Sequence, residues 1–186
     1  MKTKIVPKDA IVTYSGKIIR PLDPDPEQIC IEDIAHSLAR QCRYTGHTED
    51  FYSVAQHAVY VSELCDEKDA KWGLLHDATE VYASDLARPI KRFTEWGKQY
   101  EGIEDTLMLA IAKAFELEAP AIHALIALPL SVREADNEML WTEIQQLMPP
   151  VLHEQIPEDF SPRVWISPLN PRDAEYEFMH RYKELF

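Results

Sequence analysis

His76 and Asp77 stand side by side in the apolar run Trp72-Gly73-Leu74-Leu75-His76-Asp77-Ala78-Thr79-Glu80-Val81, with His57 upstream and Asp136 far downstream. A polar pair set among leucines loses hydration, and a divalent cation held by imidazoles and carboxylates offsets that cost. Two histidines and two aspartates, with no cysteine, suit zinc, cobalt, manganese or iron and leave coordination positions for water or substrate. If the run is helical, His76 and Asp77 lie about 100° apart around the axis, near enough to meet one ion over that edge. Glu80 follows His76 by four residues and Asp77 by three, so it shares their face, where a carboxylate can take a proton from an activated water. Taken singly, His57 reads as a hydrogen-bonded core histidine and Glu80 as a solvated helix residue. Taken with the doublet and the downstream Asp136, they point to a hydrolytic metal site.

Those residues need helices to bring them together, and the pattern supplies them. Ile11 to Ile19 alternates weakly around Ser15-Gly16, which predicts a short N-terminal β-hairpin, and the Pro21–Pro26 stretch after it is no helix interior. A helix is predicted from about Pro26 to about Arg40. The next, capped by Ser53, carries Val54, His57, Ala58, Val61 and Leu64 at helical spacing. A third is predicted from Asp66 or Lys68 through the doublet to about Tyr82, broken before Pro89. Two longer ones follow, at about Gly97 to Leu117 and Leu130 to Met148, the second bearing Asp136. Pro149-Pro150 stops the chain, and Pro171 suits the first turn of a terminal helix ending near Phe186. The expected fold is mainly α, one helical-bundle domain over residues 1–186, with its core at about 27–148 and a C-terminal loop and helix at about 149–186.

Charge narrows the partners. With 32 acidic and 19 basic side chains the net charge is -13, a field that opposes nucleic acid polymers and anionic membranes. A small phosphorylated ligand remains compatible, because an ion and a few arginines reverse the potential locally. Cys30, Cys42 and Cys65 form no CxxC and an odd set, so neither a disulfide framework nor a thiolate-bound zinc is indicated. The N-terminal residues have no apolar signal-peptide core, and no run reaches the ~18 apolar residues of a membrane span. The expectation is a cytoplasmic protein.

The order His57, His76-Asp77, Asp136 resembles the HD-domain metal-dependent phosphohydrolases. His76-Asp77-Ala78-Thr79-Glu80-Val81 and Asp85-Leu86-Ala87-Arg88-Pro89-Ile90-Lys91 are similar to the corresponding stretches of bacterial 5'-deoxynucleotidases. Tyr100-Glu101-Gly102-Ile103-Glu104 and Arg133-Glu134-Ala135-Asp136 fit the same pattern, and small phage dATP triphosphohydrolases share the ligand order. The resemblance covers roughly Ile31 to Met148. It implies an HD-domain helical bundle, one divalent ion on His57, His76, Asp77 and Asp136, and catalytic roles for Glu80 and Asp85. It also places Arg43 where those enzymes contact phosphate, with Tyr44 in the position of their tryptophan. Arg88 and Lys91 are further candidates for phosphate binding. HD proteins with two metals carry extra histidines before the last aspartate; His123 is the one histidine in that interval, so a single ion is expected. The implied reaction is release of phosphate from a deoxynucleoside monophosphate. Release of intact triphosphate from a deoxynucleoside triphosphate is the alternative, and a metal-retaining HD module without turnover is an answer of another class. A homo-oligomer is compatible with the apolar late helices.

Overall fold

Polar side chains at three helix starts fix where the chain turns into its main elements. The computed structural model describes residues 6–118 and 127–186. Among them the protein is mainly helical, with eight α-helices and a small antiparallel hairpin near the N-terminus. The hairpin pairs β1 (Ile11–Val12) with β2 (Ile18–Ile19), in the register Ile11 to Ile19 and Val12 to Ile18. The helices are α1 (Ile31–Leu38), α2 (Val54–Leu64), α3 (Ala70–Leu75), α4 (Glu80–Ala83), α5 (Arg88–Phe93), α6 (Glu95–Ala114), α7 (Leu130–Leu147) and α8 (Pro171–Leu185). Ser53, Thr94 and Asn170 accept backbone N–H groups in the first turns of α2, α6 and α8, satisfying donors that a helix start leaves open. No helix of the described residues is long and apolar enough to cross a membrane. His123 lies outside the described residues.

The described residues group into two compact units, those within Met1–Ser37 and Ala78–Ala127, and those of Leu38–Asp77 with Leu128–Phe186. In the first, α6 packs against α4, α5 and a 3-10 turn at Pro26–Gln28. Its core holds Ile19, Ile34, Leu107 and Ile111. In the second, α2 is the central element and packs against α3, α7 and α8. Tyr52, Leu74, Leu75, Met139 and Phe178 are fully buried there, together with the polar side chains Ser53, His57, Thr142 and Glu143.

The structure corrects three sequence expectations. The helix expected from Pro26 to Arg40 is split: the 3-10 turn ends in extended backbone at Ile29, and the α-helix starts at Ile31. The helix expected to run through the doublet to Tyr82 is interrupted, since α3 ends at Leu75 and α4 begins at Glu80. His76 keeps helical φ and ψ, but its ring bonds back to the carbonyl of Gly73, which competes with the helix's own bond at that turn. Pro89 does not only break the chain: it occupies the first turn of α5, where its missing N–H costs nothing.

Gly73 sets how closely α3 approaches α2. A Cβ at this position would stand 2.8 Å from the Ser62 Cα and 3.0 Å from the Cys65 Sγ, so the two helices would have to separate. Gly73→Ala is therefore expected to destabilise the protein by about 1–3 kcal/mol, the usual cost of overpacking. A denaturant titration that returns the parental midpoint would show that the helices have room to part.

Candidate metal centre

Three helices or their ends in the second unit converge on one point. α2 contributes His57, the residue that follows α3 is His76, and α7 contributes Asp136. Their ligand atoms all lie within 4.8 Å of one another, so the three form a group that can hold a metal ion. The His57 Nε2 is 3.3 Å from the His76 Nε2 and 3.1 Å from the Asp136 Oδ1, and the His76 Nε2 is 4.0 Å from that same oxygen. Asp77 brings its Oδ2 to 3.2 Å from the His76 Nε2 and 3.8 Å from the His57 Nε2. Ligands about 2.0–2.2 Å from one ion stand about 3–3.5 Å apart, which is close to the spacing found here.

The far nitrogens of both rings decide what the near ones present. The His76 Nδ1 is 2.7 Å from the Gly73 carbonyl oxygen, which can only accept, so this nitrogen carries the hydrogen. The His57 Nδ1 likewise donates to the Glu143 Oε1 at 2.6 Å. With both rings neutral, their Nε2 lone pairs would face each other and two carboxylate oxygens. Four electron-rich atoms at this distance require positive charge among them, either a proton or a cation. Outer partners that fix the tautomer in this way are the usual accompaniment of metal-binding imidazoles.

Titration of the group follows from that arrangement. Burial works against a charged His57 ring, as does Arg43, yet the Glu143 carboxylate and the bonds to Asp136 and Glu143 outweigh them and push it up to about 9. His76 is raised against its burial by Asp77 and Asp136. Asp77 and Asp136 are lowered against their burial, Asp77 chiefly by His76 and Asp136 chiefly by its bond from His57. A cation must displace the imidazole protons, so metal affinity should rise with pH and level off above about 9. In metal-free protein the sign is opposite. A histidine with a raised native pKa binds more protons folded than unfolded, and its stabilisation is lost as pH rises from near 6.5 to about 9. Melting temperatures taken with a chelator and with zinc across this range should diverge upward in pH; parallel curves would contradict the linkage.

Glu143 escaped the sequence reading. It is fully buried on α7, seven residues and so two turns after Asp136, on the same face. Besides His57, its carboxylate takes Arg43 Nη2–H at 3.2 Å and the Tyr44 hydroxyl at 2.7 Å, both on Oε2. Burial alone would raise its carboxyl, but the Arg43 guanidinium and His57 hold it down at about 2. The legible signal was an acidic residue two turns beyond Asp136 in the stripe Val132, Ala135, Met139 and Thr142.

Arg43 also reaches toward the Asp77 Oδ2, at 3.6 Å, and lies over the Tyr44 ring, 5.5 Å from its centroid. Tyr44 and Thr45 both have φ of 54°, a left-handed conformation that costs about 1–2 kcal/mol for a residue with a Cβ. The turn is tied to the start of α2 by Arg43 N–H donating to the Tyr52 carbonyl and Val54 N–H to the Gln41 carbonyl.

Glu80, Asp85, Arg88 and Lys91 belong to the first unit. Glu80 is buried at the start of α4, Asp85 is exposed in the following segment, and Arg88 is exposed in the first turn of α5. Lys91 makes an ion pair with Glu104 and lies 5.8 Å from the centroid of the Tyr100 ring.

No protein-family model matches the chain. It is 40% identical over 114 residues to an uncharacterized protein of Rhodobacter capsulatus, covering 56% of this chain and 57% of that one. It is 37% identical over 183 residues, 94% of each chain, to the Escherichia coli K12 protein YfdR, described as uncharacterized. The protein belongs to the family of Escherichia coli YfdR.

Proposed function

We propose that the protein is an HD-class metal-dependent phosphohydrolase acting on small deoxynucleotides, with 5'-deoxynucleotidase activity as its reaction. The observation that carries the reading is the pair of imidazoles with both Nδ1 atoms committed as donors and both Nε2 atoms aimed at the same carboxylates. His57, His76, Asp77 and Asp136 would hold one divalent ion, of the zinc, cobalt, manganese or iron type. When bound, such an ion supplies Lewis-acid activation of water and of a phosphoryl oxygen.

The remaining chemistry falls to the chain's own side chains. Hydrolysis places the hydroxyl of water on phosphorus, breaks the ester bond and sends a proton to the nucleoside oxygen. Glu80, three residues beyond Asp77 in the sequence, takes the proton from water, and Asp85 supplies one to the leaving oxygen. Arg43, Arg88 and Lys91 offset phosphate charge, and the Tyr44 ring lies along the sugar. An apolar ring there favours deoxyribose, because a ribose hydroxyl against it would lose hydrogen bonds to water. The net charge of -13 favours a single nucleotide over a polymer or a membrane.

Assays of deoxy- and ribonucleoside mono- and triphosphates with product analysis test the reading. Inorganic phosphate from deoxynucleoside monophosphates is expected, with ribonucleotides turned over more slowly. Intact triphosphate from a deoxynucleoside triphosphate would replace the nucleotidase with a triphosphohydrolase. Equal rates on ribo and deoxy substrates would remove the role of Tyr44, and no release from any nucleotide would overturn the function.

A further inference from the structure

Glu143 faces two ways. Its Oε1 takes the hydrogen of His57 Nδ1, while its Oε2 takes those of Arg43 Nη2 and the Tyr44 hydroxyl. We infer that Glu143 is a positioning residue that serves two tasks with one carboxylate: it aims His57 at the ion, and it anchors the strained Arg43–Gly46 turn to the same centre. The inference rests on the metal-binding part of the reading above and adds a coupling between ion and turn.

Three features support the double role. Tyr44 and Thr45 hold consecutive left-handed conformations, which persist only where surroundings over-determine them. The contacts that do so here run from Arg43 and Tyr44 to a side chain with no solvent exposure. Second, the Arg43 Nη1 already stands 3.6 Å from the Asp77 Oδ2, the oxygen 3.2 Å from the His76 Nε2 and 3.8 Å from the His57 Nε2. Glu143 engages the other guanidinium nitrogen and so restrains Arg43 from closing on Asp77 in the ion's place. Third, an ion on the His57 Nε2 would draw electron density from the ring and strengthen the Nδ1–H bond to Glu143. That passes the effect of the ion to the turn through one residue.

The conservative variant separates these tasks. A glutamine has one accepting oxygen and one donating NH₂, whereas the three groups at Glu143 all donate. With its oxygen toward His57, Glu143→Gln would set NH₂ against Arg43; reversed, NH₂ would face the His57 Nδ1–H. The experiment compares parent, Glu143→Gln and Tyr44→Phe by zinc affinity against a competing chelator, by the visible spectrum of the cobalt-loaded protein, and by amide hydrogen exchange with and without zinc. Glu143→Gln should bind zinc ~10- to 100-fold more weakly, as loss of an outer-shell partner does. It should also shift the cobalt bands. Tyr44→Phe keeps the His57 bond and should retain parental zinc affinity and spectrum while exchanging faster at the Arg43 and His47 amides, which donate to Tyr52 and Tyr44 carbonyls. Zinc should slow exchange at those amides in the parent. Parental affinity and spectrum in Glu143→Gln, or exchange in the parent's turn that ignores zinc, overturns the inference; the second readout stands even if Glu143→Gln does not fold. A parent protein that binds no zinc overturns the metal reading itself, and this inference with it, whereas a parent that binds with an indifferent Glu143→Gln overturns this inference alone.

Discussion

Replacing His76 with alanine, or Asp136 with asparagine, is expected to abolish tight metal binding and turnover together. His76 directs its Nε2 to within 3.3 Å of the His57 Nε2, and Asp136 brings its Oδ1 to 3.1 Å from that same nitrogen. Each loss should exceed the ~10- to 100-fold that removal of an outer-shell partner causes, because a ligand atom itself is gone. Asp136→Asn is the cleaner of the two, since the amide retains the shape of a side chain that is only half-buried and removes one negative charge. Equilibrium dialysis against zinc checks the first part and nucleotide hydrolysis the second. Parental occupancy in both variants would contradict the assignment of these side chains as ligands.

Glu80→Gln is expected to behave differently: metal retained, turnover lost. The amide preserves volume at a buried position but cannot accept the proton that hydrolysis releases from water. General base groups contribute ~10²- to 10⁴-fold, so the turnover number should fall within that range while zinc affinity stays at the parental value. Activity within a few-fold of the parent would move proton transfer to Asp85 or to solvent. Loss of zinc in this variant would instead make Glu80 part of the metal-binding structure.

What the sequence made legible, and what it hid, follows from the range of the interactions involved. Helix α2 was readable to the residue because its signals are local: Ser53 caps it, and Val54, Ala58 and Val61 repeat along one face. The starts of α7 and α8 were equally legible, at Leu130 and at Pro171. The interruption between α3 and α4 was not, since Trp72 to Val81 keeps helical spacing and the break accompanies a side-chain bond from His76 to Gly73. The same limit applies within the site. His57, His76 and Asp136 were found because each residue type binds metals and their order is distinctive. Glu143 was missed because an acidic residue in an amphipathic helix ordinarily reads as a solvated one, and its burial depends on Arg43 and Tyr44, about 100 residues away. Arg43 and Tyr44 were picked out as contacts to a substrate, but nothing local in the sequence says that both would bond to Glu143.

The central claim is that the convergence of His57, His76 and Asp136 binds a divalent cation. Elemental analysis of the protein purified without chelator, repeated after chelation and reloading with zinc, addresses it most directly. The account predicts one tightly held divalent ion per chain, removed by chelator and restored on reloading. A protein that carries no divalent ion as purified and takes up none at micromolar zinc would contradict it.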